Sequence, residues 1–349
     1  MSLPVFCTSI CANYLGKALN LATSLKQVMP KSIFIIALVE EEVPVELDLD
    51  KYKAVDQVIL AKNFIETGSF NSWVFRYSVV EASTAIKGQL LSYLYQRFVE
   101  SDQFIYLDPD TFVYSRFDEL FDELQNTPIV VTPHLGEPGN LEMEISSLKH
   151  GVFNLGFLAL ARDVETEKFL AWWSDRLDFA CYEDIPNGIF TDQKWINLAP
   201  GFFSVRVLRH PGYNFATWSL MDRKLSINKV GKYHVNDEPL RFTHFSGFDN
   251  GTFHVCVERW AKENSELLLQ FAEEYRLGCI NHQAELFKKI PWSYGTYESG
   301  KVVSRWARIL WREIRRDDGR DPFKSSDLAL SYVAFHPSRL RAALHKLLS

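Results

Sequence analysis

Two aspartates separated by one residue follow an apolar segment within residues 104–113. The mostly apolar residues predict a buried strand that ends at Asp108, Pro109 and Asp110. Strand residues two apart point to the same side, and Pro109 has no N–H to continue the sheet, so both carboxylates are expected at the strand's carboxyl end. Two close carboxylates repel each other unless a cation lies between them or one takes up a proton. Mg²⁺ or Mn²⁺, often shared with a substrate's phosphates, is the natural partner for this pair.

Two other interpretations fit the same residues. Asp-Pro-Asp also makes a strand-ending turn that needs no ligand. An apolar strand followed by Asp-x-Asp is in addition typical of aspartyl-phosphate phosphatases, in which the first Asp is a nucleophile near the chain start. Here more than 100 residues precede the motif, and Thr111 follows it without the Gly-Thr pair of that class. The metal–diphosphate interpretation is therefore preferred.

Three positions elsewhere suit either a ligand or the protein's own structure. Lys87 lies one helix before the Asp-x-Asp strand, and it either reaches the same ligand or is a surface lysine. Asn154 stands alone in an apolar run, where it either bonds to backbone or faces a ligand, with Gly156 leaving room for close approach. His244 ends an aromatic strand, and it is either a core histidine or a third ligand for Mn²⁺.

Two polar residues open a helix further along the chain. Thr191 is expected to cap this helix, with Asp192 and Gln193 in its first turn. On local grounds alone, helix capping explains these residues better than a ligand does. Residues 134–144 are irregular and rich in Gly and Pro, and they are a candidate lid over a bound molecule.

The order of predicted elements indicates an α/β fold. A strand at residues 4–10 precedes a helix that Asn13 is expected to cap, and buried strands follow at 32–39 and 55–61. This strand–helix–strand opening favours layers with right-handed crossovers. One long helix is predicted over residues 73–98. A dinucleotide fold is unsupported, because no Gly-x-Gly-x-x-Gly follows the first strand and no phosphate-loop signature occurs.

Composition limits the classes of partner. The chain has 349 residues, 47% of them hydrophobic, which is ample for a full core. A formal net charge of −6 argues against a general nucleic-acid binder. The five cysteines are odd in number and lack metal-binding spacing, so reduced thiols in a cytosolic protein are expected. We find no signal-peptide pattern and no apolar stretch of about 18 residues that would span a membrane.

A basic segment stands near the end of the chain. Residues 302–316 carry five arginines against one acid, Glu313, and predict an amphipathic helix. Such a helix either lies on anionic lipid or simply presents a solvated face. A last helix at residues 337–348 repeats the bias weakly.

The order of these motifs resembles that of the GT-A-fold nucleotide-sugar glycosyltransferases, above all family 8, the glycogenin and galactosyltransferase type, and its bacterial relatives. The resemblance covers residues 4–249. It implies a Rossmann-like GT-A catalytic domain over residues 1–250. A mostly helical extension over residues 251–349 would then contact an acceptor or a membrane.

The resemblance also implies roles residue by residue. Asp108, Asp110 and His244 match the family's ligands for Mn²⁺ or Mg²⁺. Asp192 and Gln193 match the catalytic pair beneath the transferred sugar. The positions that match donor-binding residues are Thr8, Ser9, Asn13, Lys87, Asp108, Asn154, Gly156 and Gly247.

One departure concerns the diphosphate. The family's His-x-x-Gly is commonly followed by Lys-Pro-Trp, whose Lys reaches the diphosphate, whereas Phe248, Asp249 and Asn250 stand here. Either Lys87 or Arg241 then supplies that charge, or the metal acts more alone.

The activity that the resemblance implies is transfer of a sugar from a nucleoside diphosphate, such as UDP, to a glycan or lipid-linked acceptor in bacterial-type polysaccharide synthesis. Retention of anomeric configuration is expected. Asp192 is the best carboxylate for a double displacement, although the family pattern favours front-face attack. The alternative is a non-catalytic module that binds a nucleotide sugar or glycan. The expected location is the cytoplasm, with a peripheral position at the inner membrane face as a variant.

Overall fold

The computed structural model describes residues 2–314 and 321–324. The strands are β1 (Val5–Ile10), β2 (Ile33–Leu38), β3 (Gln57–Leu60), β4 (Gln103–Leu107), β5 (Thr111–Val113), β6 (Ile129–Pro133), β7 (Phe153–Ala161), β8 (Glu183–Asp184), β9 (Ile189–Phe190), β10 (Val205–Val207), β11 (Leu225–Ile227), β12 (Tyr233–Val235), β13 (Glu238–Pro239) and β14 (Phe242–His244). The helices are α1 (Leu15–Val28), α2 (Phe70–Val74), α3 (Val79–Ala85), α4 (Lys87–Arg97), α5 (Asp118–Glu123), α6 (Leu141–His150), α7 (Val164–Ala180), α8 (Ala199–Phe202), α9 (Thr252–Trp260), α10 (Ser265–Asn281), α11 (Ala284–Phe287) and α12 (Arg305–Ile314).

The central sheet has the strand order β10–β6–β7–β4–β1–β2–β3 within the described residues. Strand β1 pairs in parallel with β2 and β4, whereas β7 runs antiparallel to β4 and β6. The α/β fold class is therefore confirmed, as a mixed sheet with helices around it.

Both faces of the sheet are covered, which explains its continuous apolar strands. Along β1, Val5 and Cys7 enter one apolar cluster, while Phe6 and Ile10 enter the cluster on the opposite face. A strand that is buried on both faces needs an apolar side chain at nearly every position, rather than at alternate ones.

A short ribbon of β5 and β14 lies beside this sheet. The two strands are antiparallel, and His244 pairs with Thr111, the residue after Asp110. The N–H of Phe245 also donates to Asp110 O at 2.8 Å. The ribbon thereby carries His244 to the end of β4, where the Asp-x-Asp sequence begins.

Two predictions about helix ends are wrong. The helix predicted over residues 73–98 is divided into α2, α3 and α4. It breaks because the Ser78 hydroxyl accepts from the Glu81 N–H while the Glu81 carboxylate accepts from the Ser78 N–H, a capping box that starts α3. Asn13 does not cap α1, since it lies in a 3₁₀ turn, and α1 begins at Leu15 without a side-chain cap.

The C-terminal part of the chain packs on helix α1 and on the residue that follows strand β2. Gly278 of α10 meets α1 so closely that a β-carbon there would lie 2.6 Å from Asn20 Oδ1. Trp292 Nε1 donates to Val39 O at 2.8 Å, just beyond β2. The division predicted near residue 250 falls between β14 and α9. That the two parts are separate domains stays a prediction.

Helix α12 turns two of its arginines towards the protein. Arg308 is buried and donates to the carbonyl oxygens of Phe75 at 3.3 Å and Tyr294 at 2.6 Å. Arg312 lies 3.8 Å from the centroid of the Tyr182 ring. The expectation that these two side chains belong to a solvated or lipid-facing basic face is therefore wrong, because their charges contact protein groups.

The rest of the predicted basic segment is described only in part. Arg315, Arg316 and the helix predicted at residues 337–348 lie outside the described residues. None of the helices in the described ranges combines the length and apolarity needed to cross a membrane. Peripheral contact of this segment with a membrane stays a prediction.

Replacing the capping serine tests why the long helix breaks. Ser78→Ala removes the acceptor for the Glu81 N–H and is expected to lower the free energy of unfolding by about 1 kcal/mol. Urea unfolding followed by circular dichroism measures this difference. Ser204→Ala, at an exposed position outside the helices, is the control and should change stability by less than about 0.5 kcal/mol. Equal stability of the two variants would contradict the capping explanation.

Candidate active site

A cleft of about 480 Å³ lies at the carboxyl ends of β1 and β4. Its walls come from the residues after β1, from α3, from the start of β7 and from the segment that carries Asp192. Part of the segment predicted as an irregular lid is helix α6, since the chain becomes helical at Leu141. One face of α6 lines the cleft, through Met143, Ser146, Ser147 and His150. That α6 opens and closes stays a prediction.

Asp108, Asp110 and His244 come together at this cleft. Their ligand atoms all lie within 4.8 Å of one another. His244 Nε2 is 3.0 Å from Asp110 Oδ1 and 3.8 Å from Asp108 Oδ2. The ligands of a small divalent ion stand about 2.1 Å from it and roughly 3 to 4 Å from one another. Two carboxylates and an imidazole at these separations therefore fit a hard divalent cation.

The Asn154 side chain orients the His244 ring. His244 Nδ1 lies 3.2 Å from Asn154 Oδ1, which also accepts from the Gly156 N–H and from Asn214 Nδ2, both at 3.0 Å. A carbonyl oxygen can only accept, so the Nδ1 atom of His244 carries a hydrogen. Nε2 is then the nitrogen that faces the carboxylates, as a metal ligand requires.

The nitrogen of the Asn154 side-chain amide also has hydrogen-bond partners. Asn154 Nδ2 lies 3.2 Å from His134 Nε2 and 3.4 Å from Gln193 Oε1. Burial lowers the pKa of His134 to about 4, so its ring is neutral and Nε2 accepts while Nδ1 donates to Gly151 O. Both interpretations of Asn154 considered from the sequence are thus partly met: it bonds within the protein, and it lines the cleft.

Gly156 makes room for His244. A β-carbon at this position would overlap the imidazole at Cε1 and would lie 2.8 Å from Asn154 Oδ1. The close approach expected at Gly156 is therefore to the histidine ring. A role for Gly156 in holding a donor sugar stays a prediction.

The candidate ligands Asp110 and His244 have pKa values that are shifted in opposite directions. Burial opposes ionisation of Asp110, but the charge and hydrogen bond of His244 outweigh it and lower the pKa of Asp110 to about 2. Burial likewise opposes a charge on His244, yet Asp110 and then Asp108 outweigh it and raise its pKa above the ordinary value. Without a metal, His244 therefore keeps its proton to a higher pH than an ordinary imidazole does.

Lys87 pairs with two carboxylates of the site, those of Asp108 and Asp192. Its Nζ lies 2.8 Å from Asp192 Oδ2 and 3.2 Å from Asp108 Oδ1, and it donates to Leu155 O at 3.0 Å. Burial disfavours the ammonium, but Asp108 and Asp192 outweigh burial and raise the pKa of Lys87 well above its ordinary value. Because only 2% of its surface is exposed, the alternative of a surface lysine is wrong.

The segment of Asp192 and Gln193 does not begin a capped α-helix as predicted. Thr191 has a φ of 44° and donates through Oγ1 to Asp192 Oδ1 at 3.0 Å. A 3₁₀ helix begins only at Lys194. Gln193 accepts from the Leu155 N–H at 3.1 Å and donates to His150 O at 3.0 Å. Tertiary contacts with β7 and α6 thus replace the local capping that the sequence favoured.

Of the remaining residues predicted to bind the nucleotide-sugar donor, some line the cleft and others do not. Ser9 and Asn13 line the cleft. Thr8 is buried within β1, and Gly247 lies beyond β14 at a φ of 71°. Arg241 pairs with Glu119 and donates to Ser115 Oγ. Arg241 is not among the residues that line the cleft, so its position does not favour it as the source of the charge that the departure from the family pattern leaves missing.

Two residues at the site were missed from the sequence. Tyr106 donates to Asp108 Oδ1 at 2.9 Å, and its ring lies 4.4 Å from Lys87 Nζ. Its position two residues before Asp108 on the same strand was a usable signal. Trp218 packs edge-on against His244 with ring centroids 5.3 Å apart. No local pattern marks Trp218, which reaches the site through the loop before β11.

Comparisons with known proteins find two similar proteins by sequence, both uncharacterised. No family model matches it. It is 27% identical over 177 residues to the uncharacterised protein YfnD of Bacillus subtilis (strain 168), covering 49% of this chain and 56% of that protein. It is 25% identical over 248 residues to the uncharacterised protein YfnF of the same strain, covering 70% and 81%. The chain thus spans little more than half the length of YfnD.

Among solved structures, the chain is similar to several glycosyltransferases. The bifunctional glycosyltransferase WbbM matches with a TM-score of 0.41 and 20% identity, over 62% of this chain and 40% of that one. The galactosyltransferase LgtC, in complex with donor and acceptor sugar analogues, matches with 0.43 and 16%, over 77% and 95%. The glycosyltransferase GlyE of Streptococcus pneumoniae TIGR4 matches with 0.46 and 13%, over 85% and 67%. All three TM-scores are below 0.5, so the chemistry of this chain rests on its own residues.

Substitution of Gly156 tests the geometry of the metal ligands. Gly156→Ala places a methyl group against the His244 imidazole, and we expect Mn²⁺ affinity to fall by about tenfold or more as Nε2 is displaced. Isothermal titration calorimetry with Mn²⁺ measures the affinity. Gly201→Ala is the matched control, because a β-carbon there meets nothing within 4 Å. Unchanged Mn²⁺ binding by a folded Gly156→Ala protein would show that His244 is not a ligand.

Proton release should accompany metal binding. His244 has a raised pKa in the free protein, so at about pH 6.5 the ring holds a proton that a metal at Nε2 must displace. Affinity for Mn²⁺ is therefore expected to rise with pH until the raised pKa of His244 is passed, and then to level off. Titrations at pH 6.0 to 8.5 in buffers of different ionisation enthalpy count the released protons. Release that His244→Asn leaves unchanged would contradict this assignment.

Proposed function

We propose that this chain is a metal-dependent glycosyltransferase of the GT-A type, similar to family 8, that transfers a sugar from a nucleoside diphosphate. The observation that carries the proposal is the convergence of Asp108, Asp110 and His244 on one cleft that also holds the Lys87–Asp192 pair. The first three suit a divalent ion, and the pair supplies a cation and a carboxylate beside it. These groups suit the diphosphate and the sugar of a nucleoside diphosphate sugar.

The chemistry follows from where charge develops. Transfer breaks the bond between the anomeric carbon and the β-phosphate oxygen, so negative charge grows on the diphosphate. A divalent ion, Mn²⁺ or Mg²⁺, held by the two aspartates and His244 would offset that charge without a proton transfer. Lys87 adds a fixed positive charge close to Asp108, and its burial keeps this charge unscreened by water.

Asp192 is the residue proposed to act on the sugar. Its carboxylate is 3% exposed and is held by Lys87 and Thr191, so it is rigid before any substrate arrives. Beside an anomeric carbon it would stabilise developing positive charge. Gln193 is proposed to position this segment, because its amide joins β7 to α6. Thr8, Ser9, Asn13, Asn154, Gly156 and Gly247 complete the proposed donor site.

Retention of anomeric configuration is proposed as the outcome of transfer. A double displacement would use Asp192 as a nucleophile, whereas front-face attack needs no covalent intermediate. The acceptor is proposed to be a glycan or a lipid-linked glycan of bacterial-type polysaccharide synthesis. The cytoplasm, with or without contact at the inner membrane face, is the proposed location.

Removal of one metal ligand tests the activity. Asp110→Asn keeps the size of the side chain but loses a charge, and we expect metal-dependent turnover of UDP-sugars to fall by roughly 100-fold or more. Release of UDP, measured with Mn²⁺, with Mg²⁺ and with EDTA across a panel of sugars, reports the activity. Asp118→Asn, on exposed α5, is the control.

Two results would contradict the proposal. Turnover of UDP-sugars that Asp110→Asn leaves unchanged would exclude the metal site from the reaction. Tight binding of UDP without hydrolysis or transfer, for every metal, sugar and acceptor tested, would favour the alternative of a non-catalytic binding module.

A further inference from the structure

A second group of charged residues lies beside the metal ligands, and the proposed function does not use it. Lys17 pairs with Asp249, and its Nζ lies 4.5 Å from the centroid of the Tyr14 ring. Tyr14 lines the cleft, as does Ser246, three residues before Asp249. The Lys17 side chain is 12% exposed, whereas that of Asp249 is 46% exposed. Lys17 is thus a largely buried cation that contacts Tyr14, a residue of the cleft wall.

Asp110 lies close enough to act on this lysine. Burial lowers the pKa of Lys17, but the charge of Asp110, followed by those of Tyr14 and Asp249, outweighs burial and raises it. The pKa of Tyr14 is raised mainly by burial, with further contributions from Asp110, Asp249 and Asp108. The ammonium of Lys17 is therefore charged and lies within the electric field of the metal ligands.

The position of Lys17 on its helix is unfavourable on local grounds. Lys17 is the third residue of α1, and no acidic residue stands in this first turn. The N-terminus of a helix carries partial positive charge, so a cation there is disfavoured. Asp249 offsets this repulsion from a distant part of the chain. The helix itself therefore disfavours this cation, and the partner of Lys17 lies far away in the sequence.

The two cations considered from the sequence for the diphosphate are both paired with carboxylates. The cleft gathers the carboxylates of Asp108, Asp110 and Asp192, and Lys87 is already bound to two of them. Arg241 is held by Glu119. Among residues 2–314 and 321–324, Lys17 is a further cation that acts on Asp110, and the carboxylate of its partner Asp249 is 46% exposed.

We propose that Lys17 binds the diphosphate of the donor, with Asp249 holding the ammonium in place until the phosphates arrive. This inference rests on the proposed function. On binding, phosphate oxygens replace the exposed Asp249 carboxylate as the partner of Lys17, while the Tyr14 ring continues to support the lysine stem. Lys17 then carries the charge that the sequence after His244 lacks, and Asp249 is a positioning residue that also competes with the ligand.

The test compares nucleoside diphosphates with monophosphates in the presence of Mn²⁺. Calorimetric titration of the full chain with UDP, GDP and dTDP identifies the nucleotide bound most tightly. We expect Lys17→Gln to weaken binding of that diphosphate about tenfold while weakening the matching monophosphate much less, because a charge-assisted bond to the second phosphate is lost. Lys17→Arg keeps the charge and should restore most of the affinity.

A matched control comes from the same helix. Lys26 pairs with Asp56 at 2.7 Å and has a side chain that is 17% exposed, so it resembles Lys17 in burial and pairing but lies at the other end of α1. Lys26→Gln should leave the affinities for diphosphate and monophosphate unchanged. Asp249→Asn should tighten diphosphate binding several-fold, and only when Lys17 is present, because the two residues act as one pair.

The outcomes separate the two proposals. If the wild type binds none of the nucleotides with Mn²⁺, the proposed function fails and the role of Lys17 fails with it. If the wild type binds a diphosphate and Lys17→Gln binds it as well as Lys26→Gln does, the proposed function stands and the role of Lys17 is wrong. Equal losses for diphosphate and monophosphate would also overturn contact with the second phosphate.

Discussion

Three carboxylates, those of Asp108, Asp110 and Asp192, lie in one cleft, and their mutual repulsion has to be balanced for the chain to fold as it does. Lys87 pairs with two of them, and the imidazole of His244 pairs with the third. Taking a charge out of water costs several kcal/mol unless partners replace the lost hydration. The carboxylates are therefore largely balanced by Lys87 and His244, and Asp108, Asp110 and His244 remain close enough together to suit a divalent ion.

Hydrogen bonds of the Asn154 side chain fix the positions of the neighbouring side chains in the cleft. Its oxygen orients His244, and its nitrogen reaches His134 and Gln193. One amide thus links the metal ligands to the segment that carries Asp192. A buried polar network of this kind fixes the relative positions of its members. The same network explains why Gly156 has no side chain, since any β-carbon would displace the ring that the amide aligns.

The sheet and the ribbon beside it supply the frame for these contacts. Parallel pairing of β1 with β4 brings the loop after β1 to the Asp-x-Asp residues, and pairing of β5 with β14 brings His244 to the same place. The part of the chain after residue 250 packs against α1 and against the residue that follows β2. Gly278 of α10 lies against Asn20 of α1, and Trp292, between α11 and α12, donates to Val39 O just beyond β2. The C-terminal part therefore supports the helix that carries Lys17.

The sequence by itself determined the α/β class, the strand that ends at Asp108 and the candidate ligands Asp110 and His244. These features depend on periodicity and on the chemistry of neighbouring residues, which can be read along the chain. Only the tertiary structure decided which cations face the carboxylates. Lys87 is buried between Asp108 and Asp192, whereas Arg241 turns away to Glu119. It also revealed the pairing of Lys17 with Asp249. Such pairs join segments that are far apart in sequence, and their geometry follows from the packing of many intervening elements, which local patterns do not encode.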